Sequence, residues 1–414
     1  MAKANWHEQI KRATDSRRNE IIDFTKELIR TPSENPPGNE AEVGKIIVEK
    51  LKELGITDIQ VLEKTPNRPN VLAKLHGFKK EPVLMLNAHI DTKPVGDRDP
   101  WSVDPFSGAI RNGEMYGRGA TDMKAAAAAM IIATSIIKES EFMPGGTVLL
   151  AMAADEEAGS SFGVGWLVLE KGIKADAAIV GEPSGVNESF EYLDISTRGL
   201  YGFDLIVKGT QMHSSLSDLK RGVNASVKLA KILSRMQTEL KLTYEPSPFC
   251  PQGVTINPGV FIRGGVYYGV LPGLCTAGND IRTLPRMSQE KVREDIDRWL
   301  DRLRAEDSEL DVSAELKVWV EGAEIRQEEP IVKSCARAYR EIFGHEPKIG
   351  MFPGGVDARF MINQGHFPAV SAFGPGLLQL AHGPDERVPV EDIIRATKVY
   401  AVAALDYLGI SKGA

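Results

Sequence analysis

Five places in the chain put chemically capable side chains at the exit of an apolar run. They are Asn87-Ala88-His89-Ile90-Asp91, Gly119-Ala120-Thr121-Asp122-Met123-Lys124, Asp155-Glu156-Glu157, Gly181-Glu182-Pro183-Ser184 and Ala381-His382-Gly383. Two histidines and three carboxylates suffice to hold two divalent metals that share a bridge, and Glu156 is left over as a base. Two cations about 3.5–4 Å apart lower the pKa of a bridging water and polarise an amide carbonyl. The inventory is that of a two-metal hydrolase.

Singly, each residue has a plainer use. His89 and Asp91, two apart on a strand, share one face, and Asp91 is placed to take the second ring N–H of a ligating His89. The same pair also suits a strand-end turn. Asp122 suits a helix N-cap. Glu182 leaves a strand before Pro183, and His382 lies in a loop, where a histidine is usually just surface. Asp155-Glu156-Glu157 is harder to explain as a solvated loop, because three adjacent carboxylates repel one another and a metal would relieve them. The joint pattern carries the argument: in open α/β sheets, ligands bind at the carboxyl ends of strands.

The elements that must position these residues are legible. Ile21–Ile29 and Val43–Leu54 have helical spacing, while Val83–Leu86, Thr147–Met152 and Ala177–Val180 are short apolar runs typical of buried strands. Asp122–Ile137 is Ala-rich and helical, with Asp122 near its start. Near Ile195 the order becomes strand (Leu200–Val207), helix (Asn224–Leu240), strands (Thr255–Ile262, Leu274–Ile281), helix (Ser288–Leu303), strand (Ala314–Val320). That β-α-β-β-α-β order is a ferredoxin-like unit. Alternation resumes with Ile331–Phe343, Pro368–Phe373 and Asp392–Leu408. The fold class is therefore α/β: a catalytic domain with a helix-covered mixed sheet (1–194 and 323–414), plus an inserted α+β dimerisation or lid domain (195–322).

A chain of 414 residues favours two domains. A net charge of −7 gives no general attraction to nucleic acid or anionic membrane. No run reads as a signal peptide, and Ala125–Ile137 is too short to cross a bilayer. Three scattered cysteines, Cys250, Cys275 and Cys335, argue against a disulfide framework and fit a reducing cytoplasm.

Here a resemblance enters. Leu86–Asp91 with Thr92 and Pro94, Tyr116–Met123, Asp155–Ser160, Gly181–Ser184 and His382–Glu386 resemble, in order, the motifs of the metallopeptidase family of acetylornithine deacetylase, succinyl-diaminopimelate desuccinylase, aminoacylase and glutamate carboxypeptidase. The resemblance spans nearly the whole chain. It implies that Asp122 bridges two Zn²⁺ ions (Co²⁺ or Mn²⁺ substituting), with His89 and Glu182 completing one site and Glu157 and His382 the other. It implies Glu156 as general base, a cis Asp122–Met123 peptide, and a homodimer in which His213 reaches the partner's site. Asp91 and His213 join Glu156 in the implied catalytic set. Arg282 matches an arginine that grips a substrate carboxylate, and Arg359 and Gly355 lie in a further substrate-side motif.

Three departures bear on the substrate. Gly269 stands where the family often has Asn, Ala125-Ala126 replace a frequent Gly-Gly, and Tyr267-Tyr268 add aromatic bulk. The expected reaction is hydrolysis of the amide of an N-acyl amino acid or dipeptide-like small molecule bearing a carboxylate. Rival readings are an aryl or other non-proteinogenic amide, and, from another class, a metal-dead scaffold.

Overall fold

The computed structural model describes residues 6–412. The chain divides into two compact units, Met1–Ser196 with Glu324–Phe352 and Val356–Ala414, and Thr197–Ala323 with Pro353–Gly355.

The larger unit is built on a six-stranded sheet, ordered Asp58–Glu63, Pro69–Leu75, Thr147–Ala153, Val83–His89, Ala177–Val180 and Ala369–Val370. The last four strands run parallel, and antiparallel pairings join Pro69–Leu75 to Thr147–Ala153 and to the edge strand Asp58–Glu63. The sheet is therefore mixed. Its parallel strands are buried almost throughout, and mostly apolar, because both faces are covered. Met85, Leu149, Ala151 and Ala178 pack with Trp166, Leu167 and Met361 on one face. The alternate residues Leu84, Leu86, Val148 and Leu150 are equally buried, on the side of the helices Ala125–Glu139 and Val390–Leu408.

The smaller unit is an antiparallel sheet ordered Thr255–Gly264, Leu274–Thr283, Gly199–Lys208 and Asp311–Val320. The helices Ala225–Glu239 and Gln289–Glu306 complete a ferredoxin-like β-α-β-β-α-β unit. Tyr201, Phe203, Leu205 and Val207 alternate as its buried residues. The Asn224 and Ser288 side chains cap the two helices, accepting from the N–H groups of Val227 and Lys291.

Several elements differ from expectation, among them the strands Asp58–Glu63 and Pro69–Leu75, which were not anticipated. The Pro368–Phe373 strand is confined to Ala369–Val370. An unanticipated helix, Trp6–Ser16, is mostly polar and buries only Ile10 and Thr14. The Ala-rich helix begins at Ala125, not Asp122. Before it, Ala120–Lys124 forms a wide turn in which Asp122 (φ −124°, ψ 92°) and Met123 (φ −138°, ψ 36°) are non-helical. Asp122 makes no capping hydrogen bond there, and the Asp122–Met123 peptide is cis. With this turn the segment Ala120–Glu139 reaches 20 residues at a mean hydropathy of 1.4, long and apolar enough to cross a membrane. Every residue of that apolar window is buried inside the fold.

Candidate metal centre

The register of the parallel strands fixes where the ligands emerge. His89 ends its strand opposite Ala153, after which the chain runs into Asp155-Glu156-Glu157. Asn87 lies opposite Val180, two residues before Glu182. Three acidic or imidazole groups thus leave neighbouring strands at one sheet edge. Asp122 arrives from the turn before the Ala-rich helix. Gly119 opens that turn at φ 81°, where a Cβ would also meet the Thr92 methyl at 2.7 Å.

The decisive geometry is at Asp122. Its Oδ1 lies 2.8 Å from His89 Nε2, and its Oδ2 lies 3.0 Å from His382 Nε2. Glu182 approaches His89 Nε2 at 3.6 Å, and Glu157 approaches His382 Nε2 at 3.3 Å. The result is two three-residue clusters, His89–Asp122–Glu182 and Asp122–Glu157–His382, each with ligand atoms within 4.8 Å of one another. The first cluster is wholly buried and the second opens outward through His382.

Electrostatics show what the clusters demand. Burial pushes the Glu182 and Glu156 carboxyls well above their ordinary range, and neighbouring carboxylates push them further. Burial opposes charge on the imidazoles too, yet hydrogen bonds to Asp122 and Asp91 hold His89 well above its usual value. Asp122 and Glu157 raise His382 to about 10. Burial likewise opposes charge on Asp122, but its two histidine partners hold it below the carboxylate range. A desolvated acidic cluster that holds its histidines protonated is one that calls for cations. The donor set, imidazole nitrogen with carboxylate oxygen, fits divalent transition metals.

The three consecutive acids are pulled apart. Asp155 turns inward at φ 68° and binds Arg68 Nη2 at 2.8 Å and Asn35 Nδ2 at 3.1 Å. Glu157 is held by Lys93, whose Nζ lies 3.1 Å from Oε2 and whose backbone N–H donates to Oε1 at 3.1 Å. The Glu156 carboxylate takes no hydrogen bond or ion pair among the described residues. Asp91 is buried, and its carbonyl, 2.9 Å from His89 Nδ1, is nearer the ring than its carboxylate at 3.5 Å. The carboxylate instead accepts from Asn35 and from the backbone N–H groups of Glu156 and Glu157.

A profile of peptidase family M20/M25/M40 matches residues 85–406. The chain belongs to that family.

This M20-family chain is an enzyme, a metallohydrolase. It is 30% identical to a succinyl-diaminopimelate desuccinylase of Gluconacetobacter diazotrophicus, over 92% of this chain and 95% of the relative. Its fold is similar to an M20 family metallo-carboxypeptidase of Sulfolobus solfataricus (TM-score 0.74, 22% identity, 94% and 99% coverage). It is also similar to a dinuclear metal-binding M20 peptidase of Bacillus subtilis (TM-score 0.66, 18% identity, 94% and 98% coverage).

The remaining expected site residues of this M20 chain fall in both units. Arg359 is part-buried in the larger unit, stacked 4.2 Å over Phe360 and 3.4 Å from the Gly159 carbonyl, at the far end of the Glu156 loop. It is not a free helix-surface arginine. His213 is exposed in the smaller unit, paired with Val270, and its Nδ1 accepts from Ser215. Arg282, in that unit's sheet, lies 3.2 Å from Asp280. Gly355 falls in the turn Pro353–Gly355, grouped with the smaller unit. Gly269 sits at φ 81° and its carbonyl accepts from Ser214. Asn and Gly both tolerate left-handed backbone, so the departure from the family's Asn preserves the turn and removes only a side chain.

Sequence reasoning overlooked Lys93, Asn35, Arg68, Arg118 and Glu386, all of which hold the site from behind. Arg118 and Glu386 lay inside quoted motifs, but nothing local signals that they pair.

Proposed function

We propose that this chain hydrolyses the amide bond of an N-acyl amino acid or dipeptide-like substrate, using two divalent cations and Glu156 as general base. One observation carries the reading: Asp122 offers one oxygen to each of two ligand clusters, while Glu156 beside them is unengaged. His89, Asp122 and Glu182 would hold one cation, and Asp122, Glu157 and His382 the other. Zinc suits this donor set, with cobalt or manganese able to replace it. When bound, the cations supply Lewis acidity and make water a nucleophile near neutral pH.

Glu156 takes the proton from the attacking water and returns it to the leaving nitrogen, so that a neutral amine departs. Asp91 positions His89 through its carbonyl and the Glu156 loop through its carboxylate. Arg359 and Arg282 offer planar forks for a substrate carboxylate. Three free, buried cysteines support a reducing, cytoplasmic setting.

A screen of the zinc-, cobalt- and manganese-loaded protein against N-acyl amino acids, dipeptides and aryl amides tests the substrate class. Turnover of N-acyl amino acids or dipeptides, lost on esterifying their carboxylate, is the expected result. Turnover confined to aryl amides without a carboxylate would overturn it.

The smaller unit supports a homodimer. Its strand Thr255–Gly264 is a sheet edge with Val260 63% and Ile262 60% exposed, and pairing two such edges removes the liability. A two-fold dimer makes the exchange reciprocal. His213 would then donate to the developing oxyanion of the partner's site. His213→Ala should keep metals and dimer and lose turnover by about 10²–10³-fold, the usual cost of one such donor. Mixing His213→Ala with Glu156→Gln subunits should restore part of the activity, since one site in each mixed dimer regains both groups. Proven subunit exchange without recovery would exclude action in trans.

A further inference from the structure

Two proposed ligands, Asp122 and His382, reach one another from chain segments 260 residues apart in sequence order. Beside the strand pairing of Arg387–Pro389 with Glu114–Tyr116, a buried ion pair joins the backbones that carry them. Arg118 is 1% exposed and Glu386 0% exposed. Arg118 Nη1 lies 2.5 Å from Glu386 Oε2. The other oxygen, Oε1, accepts from the backbone N–H groups of Thr121 at 2.9 Å and Asp122 at 3.0 Å. The other arm of the guanidinium, Nη2, donates to the His382 carbonyl at 3.0 Å and to the Pro94 carbonyl at 3.4 Å. The ring of Trp101 lies 5.4 Å below it. His382 itself sits at φ 64°, a left-handed conformation uncommon for histidine, and the Arg118 bond falls on its carbonyl.

We infer that Arg118 and Glu386 are positioning residues that set the affinity of the outer cation, the one assigned to Asp122, Glu157 and His382. The inference rests on the metal roles proposed above. The pair is poorly suited to a purely stabilising role. Arg118 Nε is buried with no partner among the described residues, and buried ion pairs are weak contributors to stability because desolvation offsets their attraction. What the pair does is fix the main chain at Asp122 and at His382, on segments that the Gly117–Glu386 and Thr121–Arg387 hydrogen bonds also hold together. Glu386 orients Asp122, which both clusters share. Arg118 orients His382, which only the outer cluster uses, and the inner residues His89 and Glu182 receive no hydrogen bond from either. Outer-shell partners of this kind govern metal affinity by about 10–100-fold.

The test is a cobalt(II) titration of the metal-free protein, with zinc competition, alongside its thermal midpoint before any metal is added. The double variant Arg118→Met/Glu386→Gln removes both charges and leaves an amide oxygen for the Thr121 and Asp122 N–H groups. Arg118→Lys keeps the charge but loses the fork that reaches the His382 carbonyl. In both variants the second binding step should weaken by about 10–100-fold while the first changes little, so that each isotherm approaches that of His382→Ala. The metal-free midpoint of Arg118→Lys should stay near the parent's. Two unchanged steps, or equal weakening of both, would overturn the inference. A parent protein that binds fewer than two cations would overturn it together with the proposed metal roles, which separates the two failures.

Discussion

Glu156→Gln should retain its full complement of cations and lose turnover by about 10²–10⁴-fold, the contribution of a positioned general base. The expectation follows from the contrast between two adjacent glutamates. Glu157 is engaged by Lys93 and His382, and it belongs to a ligand cluster. Glu156 belongs to neither cluster, and its carboxylate has no hydrogen-bond partner among the described residues. Glutamine preserves the shape of the side chain but cannot accept and release a proton at these pH values. The companion variant Glu157→Gln should lose one cation. Elemental analysis of both variants beside their kcat decides the matter. If Glu156→Gln sheds metal as Glu157→Gln does, the two roles are exchanged.

Asp122→Ala should lose both cations and all measurable turnover, because each cluster would drop to two ligands. Asp122→Asn is the sharper variant. An amide has one oxygen and one NH₂ group, and the NH₂ cannot ligate. Asparagine can therefore serve one cluster at a time and should hold no more than one tightly bound cation. Zinc per chain after exhaustive dialysis reads both outcomes. Retention of two cations in Asp122→Asn would mean that Asp122 is not shared.

What could be read from the sequence depended on range. Val83–Leu86, Thr147–Met152 and Ala177–Val180 are short runs, apolar but for Thr147, which marks buried parallel strands, and their exits mark the candidate ligands. His89, Glu157 and Glu182 were legible for that reason. Asp122 was legible as a residue but not as a conformation. The Ala-rich helix seemed to begin there, whereas a non-helical turn precedes Ala125 and aims the carboxylate at both histidines. The network behind the site was not legible at all. Arg68 with Glu40 and Asp155, and Arg118 with Glu386, are partners across 28, 87 and 268 positions, and no local period records such pairings. Asp155 illustrates the cost: it stood among three repelling acids that a metal would relieve, and its own charge is met by a buried arginine instead.

The central claim is that Asp122 bridges two cations. Anomalous diffraction from zinc-loaded crystals, collected on both sides of the zinc edge, addresses it most directly. Two peaks should flank Asp122, one about 2.0–2.1 Å from His89 Nε2 and the other at the same distance from His382 Nε2, each facing a different Asp122 oxygen. A single peak, or two peaks of which only one touches Asp122, would contradict the account.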